Sequence, residues 1–481
     1  MSLASTTPVT AGRTGSGAVL LAVLMPAMLA TVVASDMVNL VLPAIGAEFG
    51  ASEAQLAWVV TGFLLAFSVG IPLYGRISDR TSLRRLFGIA LLVYAAGSLI
   101  CALAPDLLVL VLGRIVMGAG AAGIPVLSIT AVTRLLPVDR RGMGIGVVSS
   151  AAGIGTAAGP AIGGGIGQFL GWRPLFWLML AVAVLLLPVV LRVLPDEAPA
   201  GAGRFDLLGG VLLGLGAGLL LFGITQAQAA GPGAPTTWGS LTAAAATIGL
   251  FGRRTVRVAQ PFVPPSLFSN RVYRAAVVIA FLAMVVNLGG LVFVPLLVVD
   301  VHGLTSGEGA LVMIPAGVAA AVVSPLIGRL TDRVGTRTLV LAGLAAMGLF
   351  ALVLSTFAGG GSVIPAGVGV LGLSVGFICV LTPLISAAAG ALPPGLVGVG
   401  VGILQGAQFL GAGAGPALLG VLVTARQRNG GGAVNPLYPG HEGAAYSDAF
   451  LAIAVVAVLT LVGAFRMYPK AAAPATPDKA G

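Results

Sequence analysis

The feature that most restricts this chain is an apolar run that keeps returning. A helix that crosses a bilayer needs ~20 mostly apolar residues. Such runs lie at 18–44, 53–75, 86–105, 107–132, 143–168 and 175–194, then at 206–226 and 239–256. Six more follow at 275–299, 306–329, 338–357, 363–386, 397–424 and 449–466. The sequence therefore predicts an all-α membrane protein with fourteen transmembrane helices. A twelve-span parse follows only if 206–256 dips into the bilayer. Apolar residues make up 58% of the chain and charged residues 8%. That is too few charges to cover a soluble surface. Many of the 72 glycines lie inside apolar runs, where small residues let membrane helices approach closely.

The loop charges test this parse independently. With an inner N-terminus, the inward segments hold Arg13; Arg76, Arg80, Arg84 and Arg85; Arg134, Arg140 and Arg141; and Arg192 and Arg204. They continue with Arg253, Arg254, Arg257, Arg271 and Arg274; Arg329, Arg333 and Arg337; and Arg466, Lys470 and Lys479. Outward segments hold only Arg173, Arg426 and Arg428, and Arg114 falls within a span. Cytoplasmic loops carry such an excess of bases. An error of one span would scramble every later loop, so the pattern favours an even number with both ends cytoplasmic. The net charge of +10 is thus a topology signal and not a nucleic-acid footprint. Residues 1–17 are polar, and the run after them is too long for a signal h-region. It is read as a retained first span.

The chain also repeats itself. Residues 72–86 read PLYGRISDRTSLRRL and residues 325–339 read PLIGRLTDRVGTRTL, with eight of fifteen positions identical. Each copy follows the second span of its own six-span half. Paired halves are an architecture of secondary transporters, with the substrate site between them at mid-membrane. The division expected is a tail at 1–17, a first six-helix bundle at 18–195, an inserted helix pair with its loops at 196–258, a second bundle at 259–467 and a tail at 468–481. Other chemistries find little support. Cys101 and Cys379 lack metal-ligand spacing, His302 and His441 fall in outer loops, and no phosphate-binding G-x-x-x-x-G-K-[ST] is present. No cofactor or metal is expected.

At these residues the chain resembles the major facilitator superfamily, and within it the fourteen-span drug:proton antiporters (multidrug and tetracycline-type exporters). The span 2–3 loop, Gly75-Arg76-Ile77-Ser78-Asp79-Arg80 with Arg84, is similar to the family pattern G-x-L-x-D-R-x-G-R-[KR]. Gly328, Asp332, Arg333 and Arg337 repeat it. A carboxylate at a helix end can bind bases and a neighbouring helix N-terminus, so both copies are expected to act as conformational latches. Ser82 departs from the family's Gly, which the second copy keeps as Gly335. Span 5 carries Gly146, Gly155, Gly159, Pro160, Gly163 and Gly164, which match the antiporter motif. Its glycines make a groove for close helix packing, and Pro160 bends the helix. The resemblance implies an exporter.

Arg114, Gly118 and Gly120 resemble the family's R-x-x-Q-G-x-G, with Met117 in place of Gln. The resemblance implies a role in proton transfer. Arg does not deprotonate, so Arg114 is read as a charge that tunes a nearby acid; a structural bond to backbone carbonyls is the competing reading. Asp36, before Met37 and Val38, is the one acid placed well inside a span. Intramembrane acids are functional by default, and low dielectric raises a carboxyl pKa. Asp36 is therefore the expected proton carrier, with cation recognition or a structural bond as alternatives. The family's usual acid would fall at Ala34, whereas the tetracycline subset has an acid followed by Met-Val. That subset's acids in spans 5 and 13 correspond to Thr156 and Ala412 here, so part of its charge equipment is missing. Polar and aromatic candidates for the substrate cavity are Asn39, Thr61, Phe67, Asn287, Gln405, Gln408 and Phe409.

These readings imply a monomeric antiporter of the bacterial cytoplasmic membrane. It would exchange protons for a small amphipathic drug or antibiotic, tetracycline-like or self-produced. An importer on the same fold is the nearest alternative. A membrane enzyme would need a nucleophile–base or metal cluster within the spans, and none is evident in the sequence.

Overall fold

The computed structural model describes residues 14–51, 53–196, 206–229, 231, 233–304, 311–360, 362–438 and 443–467. Within its helices, the side chains at 14–16, 36, 39, 40, 43, 53, 54, 57, 152, 153, 156–161, 163–165, 168, 228, 229 and 394 fall outside that description. The predicted runs become helices α1 (Thr14–Phe49), α2 (Glu53–Ser78), α3 (Leu83–Ala102), α4 (Leu107–Ala121), α5 (Gly123–Leu135), α6 (Arg141–Leu170) and α7 (Arg173–Val193). They are followed by α8 (Leu207–Ala229), α9 (Pro235–Arg257), the short α10 (Ser266–Ser269) and α11 (Arg271–His302). The last five are α12 (Ile314–Val334), α13 (Thr336–Phe357), α14 (Ile364–Gly390), α15 (Val397–Asn429) and α16 (Ala444–Met467). Among the described residues, twelve segments are long and apolar enough to cross a membrane. α4 and α5 count there as one, and α6 and α9 stand outside the twelve. α9 is the more polar of that pair, with five Thr and three Arg along its length.

Local chemistry explains several boundaries. The predicted span 107–132 is not one straight helix: it breaks at Ala122 between α4 and α5. Pro125 is the cause, because its ring excludes the carbonyl four residues earlier and it has no N–H to donate. Asp106 caps α4 by accepting from the Val109 N–H at 2.9 Å, and Asn270 caps α11 by accepting from Val272 at 2.9 Å. Such caps satisfy donors that the helix itself leaves free.

The helices pack in two groups. α1 lies on α6 and α7, while α3 and α4 pack on each other and on α7 and α2. Correspondingly, α11 lies on α15, α14 and α16, and α13 on α14 and α16. The groups meet along two seams, α2 against α15 and α6 against α12. α8 and α9 pair with each other, and α8 lies on both α2 and α15. Asp206 joins this pair at its base, accepting from the Gly209 N–H at 2.9 Å and from Arg254 Nε at 2.6 Å. One apolar core, around Phe63, Phe67, Tyr94, Met117 and Phe176, belongs to α1–α5 and α7. A larger one runs through α11 and α13–α16 and into α1, α3 and α5. Leu108, Leu185, Val322 and Ile364 are exposed on the outside, as lipid-facing residues are.

Candidate functional site

Both copies of the repeat lie at the same end of the bundle, and each reaches across a seam. Asp79 follows the last turn of α2. Its carboxylate accepts from the backbone N–H groups of Gly398 (2.8 Å) and Val399 (2.9 Å), at the start of α15. Arg134, at the end of α5, donates to the same carboxylate at 2.7 Å and to the Ser78 carbonyl at 2.7 Å. The free N–H groups and positive dipole end of α15 favour an anion there. Asp79 is only 4% exposed. Burial pushes its carboxyl up to about 6, against the opposing pull of the Val399 and Gly398 N–H groups, Arg134 and Arg76. Side-chain-free backbone makes the contact achievable: a Cβ on Gly75 would sit 2.5 Å from the Gly398 carbonyl oxygen.

The second copy repeats this with less. Asp332 accepts from the N–H groups of Gly142 and Met143 at the start of α6. A Cβ on Gly328 would sit 2.3 Å from the Gly142 carbonyl oxygen. Asp332, however, is exposed.

The bases differ from expectation. Arg134 holds Asp79, whereas Arg80 donates to Gln260 at 3.4 Å. Arg85 donates to Asp196 at 3.1 Å, and the Arg84 charge acts on that same carboxyl. Among the described contacts no bond from Arg84, Arg333 or Arg337 reaches either aspartate. Sequence spacing missed Arg134 because it approaches from another helix. The Ser82 departure also has a reason. Its φ is −56°, so no glycine is required, whereas Gly335 stands at φ +88°. Ser82 instead caps α3, accepting from Arg85 N–H at 3.2 Å, and donates to Asp196 at 2.6 Å. Ser82 and Arg85 together hold the Asp196 carboxyl below its usual range.

Arg114 is fully buried. Its Nε donates to the Val59 carbonyl (3.1 Å) and its Nη1 to the Ala34 carbonyl (3.1 Å), tying α4 to α2 and α1. Nη1 also meets Met117 Sδ at 3.7 Å, so the residue standing for Gln is still a contact. The guanidinium lies 4.2 Å from the Phe63 ring centroid, a cation–π arrangement. Nη2 has no described partner. Asp36 belongs to α1 two residues beyond Ala34, but its side chain, like that of Asn39, lies outside the described residues.

In α6, Gly146 faces α12: a Cβ there would lie 2.4 Å from the Ser324 carbonyl oxygen. Gly155 faces α1, with Val32 at 2.7 Å from such an atom. The rest of that motif, Gly159, Pro160, Gly163 and Gly164, lies outside the described side chains. Of the cavity candidates, Phe67 and Phe409 meet across the α2–α15 seam, with centroids 4.8 Å apart. Phe67 also stacks on Phe63 at 5.8 Å, so a line of rings runs from Arg114 to the seam. Gln405 is buried on α15, while Thr61 and Gln408 are half-buried. Asn287 does not join them. α11 meets α15 where Val285 faces Gly415, ten residues beyond Gln405, or about 15 Å along the axis.

The opposite end carries a polar network that sequence reading left without a role. Arg426 donates to Asp448 at 2.6 Å, and Asn435 donates to Ser355 (2.9 Å) and Thr356 (3.1 Å). Tyr446 donates to Asp300, and a His302 ring nitrogen lies 3.3 Å from the Ser362 carbonyl. These bonds anchor part of the segment 425–448 to α11, α13 and α16; His441 lies outside the described residues. Cys101 is buried, and its thiol lies 3.7 Å from the Leu110 carbonyl. No group that could hold a metal ion occurs among the described residues.

Comparison with known proteins places this arrangement. The sequence profile of the Major Facilitator Superfamily matches residues 24–416. Two relatives from Mycobacterium tuberculosis are similar over most of their length. The multidrug resistance protein B homolog is 30% identical over 384 residues, 79% of this chain and 71% of the relative. The multidrug resistance protein Stp is 31% identical over 391 residues, 81% of this chain and 72% of the relative. Among solved structures, the human organic anion transporter MFSD10 (TETRAN) superposes with a TM-score of 0.65 at 17% identity, covering 93% of this chain and 99% of that one.

Proposed function

As the chain belongs to the Major Facilitator Superfamily, and so is a multi-pass secondary transporter and not an enzyme, we propose that it exports small amphipathic drugs or antibiotics in exchange for protons. Its relatives named for multidrug resistance support efflux. The observation that carries the reading is the pair of carboxylates, Asp79 and Asp332, each on the first turn of a helix from the other group. Two such contacts hold the seams shut at one end, and their release would let the groups rock. This is alternating access around a mid-membrane site. The proposed topology has fourteen spans and both termini in the cytoplasm, with bundles at 18–195 and 259–467 joined by the pair within 196–258. The latched end, rich in Arg, is then the cytoplasmic one. The chain acts as a monomer.

Asp36 carries the proton, and the buried Arg114 is the charge that tunes it. Tetracycline-like molecules and a self-made antibiotic are within the proposed substrate range. A resistance panel in a pump-deficient host first supplies a substrate. Inverted vesicles then compare wild type with Asp36→Asn. Proton-driven efflux is expected to vanish while the protein still reaches the membrane. Undiminished efflux removes Asp36 as the coupling site, and flux in the opposite sense makes the chain an importer.

A further inference from the structure

The strip of α15 that faces α2 runs Gly398, Gly402, Gln405 and Phe409, at the three- and four-residue spacings of one helix face. Contacts fix it at three points. Gly398 lies on Gly75, Gly402 lies on Ile71, and Phe409 meets Phe67. Gln405 stands between them on the same strip. It is 5% exposed, and its Oε1 has no hydrogen-bond partner. A buried acceptor without a donor destabilises a fold, and a residue of similar size without the oxygen would not. Depth adds a second point: from the start of α15 at Val397, Phe409 is about 18 Å along the axis. That is the middle of a bilayer. Phe67 is buried and held from behind by Phe63, whereas Phe409 is half-buried.

We infer that Phe67, Gln405 and Phe409 form a binding subsite for a flat aromatic molecule that carries an N–H or O–H donor. The ligand ring takes a place between Phe67 and Phe409, and its donor meets Gln405 Oε1. Aromatic rings gain from such offset or edge contacts, and the orphaned oxygen gains the bond it lacks. This rests on the export reading for the position of cargo between the halves, and it adds the chemical class of that cargo.

The test uses the purified full chain in detergent and equilibrium dialysis with two probes, 2-aminoanthraquinone and anthraquinone, which differ by one amino group. The amino compound is expected to bind about tenfold more tightly, the size of one good hydrogen bond. Gln405→Met removes that difference and raises the melting temperature of the ligand-free protein. Gln405→Leu is the second variant, with the same two outcomes expected. Phe409→Leu weakens both probes by about fivefold, and Phe409→Trp restores them. Equal binding of the two probes to wild type overturns the inference, and so does a difference that survives in both Gln405 variants. Absence of binding by either probe overturns it as well. Binding does not depend on Asp36, so loss of the coupling reading would leave this measurement standing.

Discussion

Removing the Asp79 carboxylate separates the closed from the open arrangement most directly. In Asp79→Ala the N–H groups of Gly398 and Val399 lose their acceptor while still packed against α2. Arg134, whose side chain is 20% exposed, keeps only its bond to Ser78. An orphaned buried donor costs about 1–3 kcal/mol in mutational series. In an open arrangement the same donors reach water, so the cost falls on the closed state alone. Two donors then shift the balance by about 2–6 kcal/mol, or roughly thirty-fold to ten-thousand-fold. Asp332→Ala is a built-in control. Asp332 is exposed, so water can replace its oxygens, and the expected shift is about threefold or less. Spin labels at Val138→Cys and Phe268→Cys, both exposed, with Cys101→Ala and Cys379→Ala, report the separation of the groups at that end. Asp79→Ala should move most molecules to a longer distance, and Asp332→Ala few. Equal effects, or a larger effect at Asp332, would refute the reasoning from burial.

The same label pair checks two further predictions. Gly398→Ala puts a Cβ 2.2 Å from the Gly75 carbonyl oxygen, so closure fails and the long distance predominates; a preserved short distance would mean that the helices can part without unlatching. The Asp79 carboxyl, at about 6 when latched, returns towards ~3.9 once solvated. The closed state therefore binds a proton more tightly and should gain population as pH falls from 7 through 6, levelling off below about 4. Asp79→Asn keeps one acceptor but cannot titrate, so its pH response should shrink to the smaller part due to Asp332, whose carboxyl burial also raises; an undiminished response would place the titrating group elsewhere.

Much of the fold was legible because its signals are local. Apolar run length marks a span, loop charge marks a side, and a copied fifteen-residue segment marks two halves, whatever packs against them. The break at Ala122 could also have been read from Pro125. Partners were a different matter. Spacing grouped Asp79 with Arg80 and Arg84, yet Arg134 arrives from the end of another helix. The Gly75–Gly398 contact joins residues that no window along the chain contains. Phe67 and Phe409 were each candidates, but their meeting across a seam depends on the register of α2 against α15. Asn287 looked equivalent to Gln405 in sequence, and the register of α11 against α15 puts it about 18 Å away along the axis. The sequence by itself determined a membrane bundle of paired halves with one basic end. Only the tertiary structure decided which carboxylate is buried, which base answers it and which polar atoms, Gln405 Oε1 and Asn287 Oδ1 among them, are left without a partner. Apolar pattern is a property of neighbours along the chain, whereas desolvation and hydrogen bonding are settled by groups that come from far apart in it.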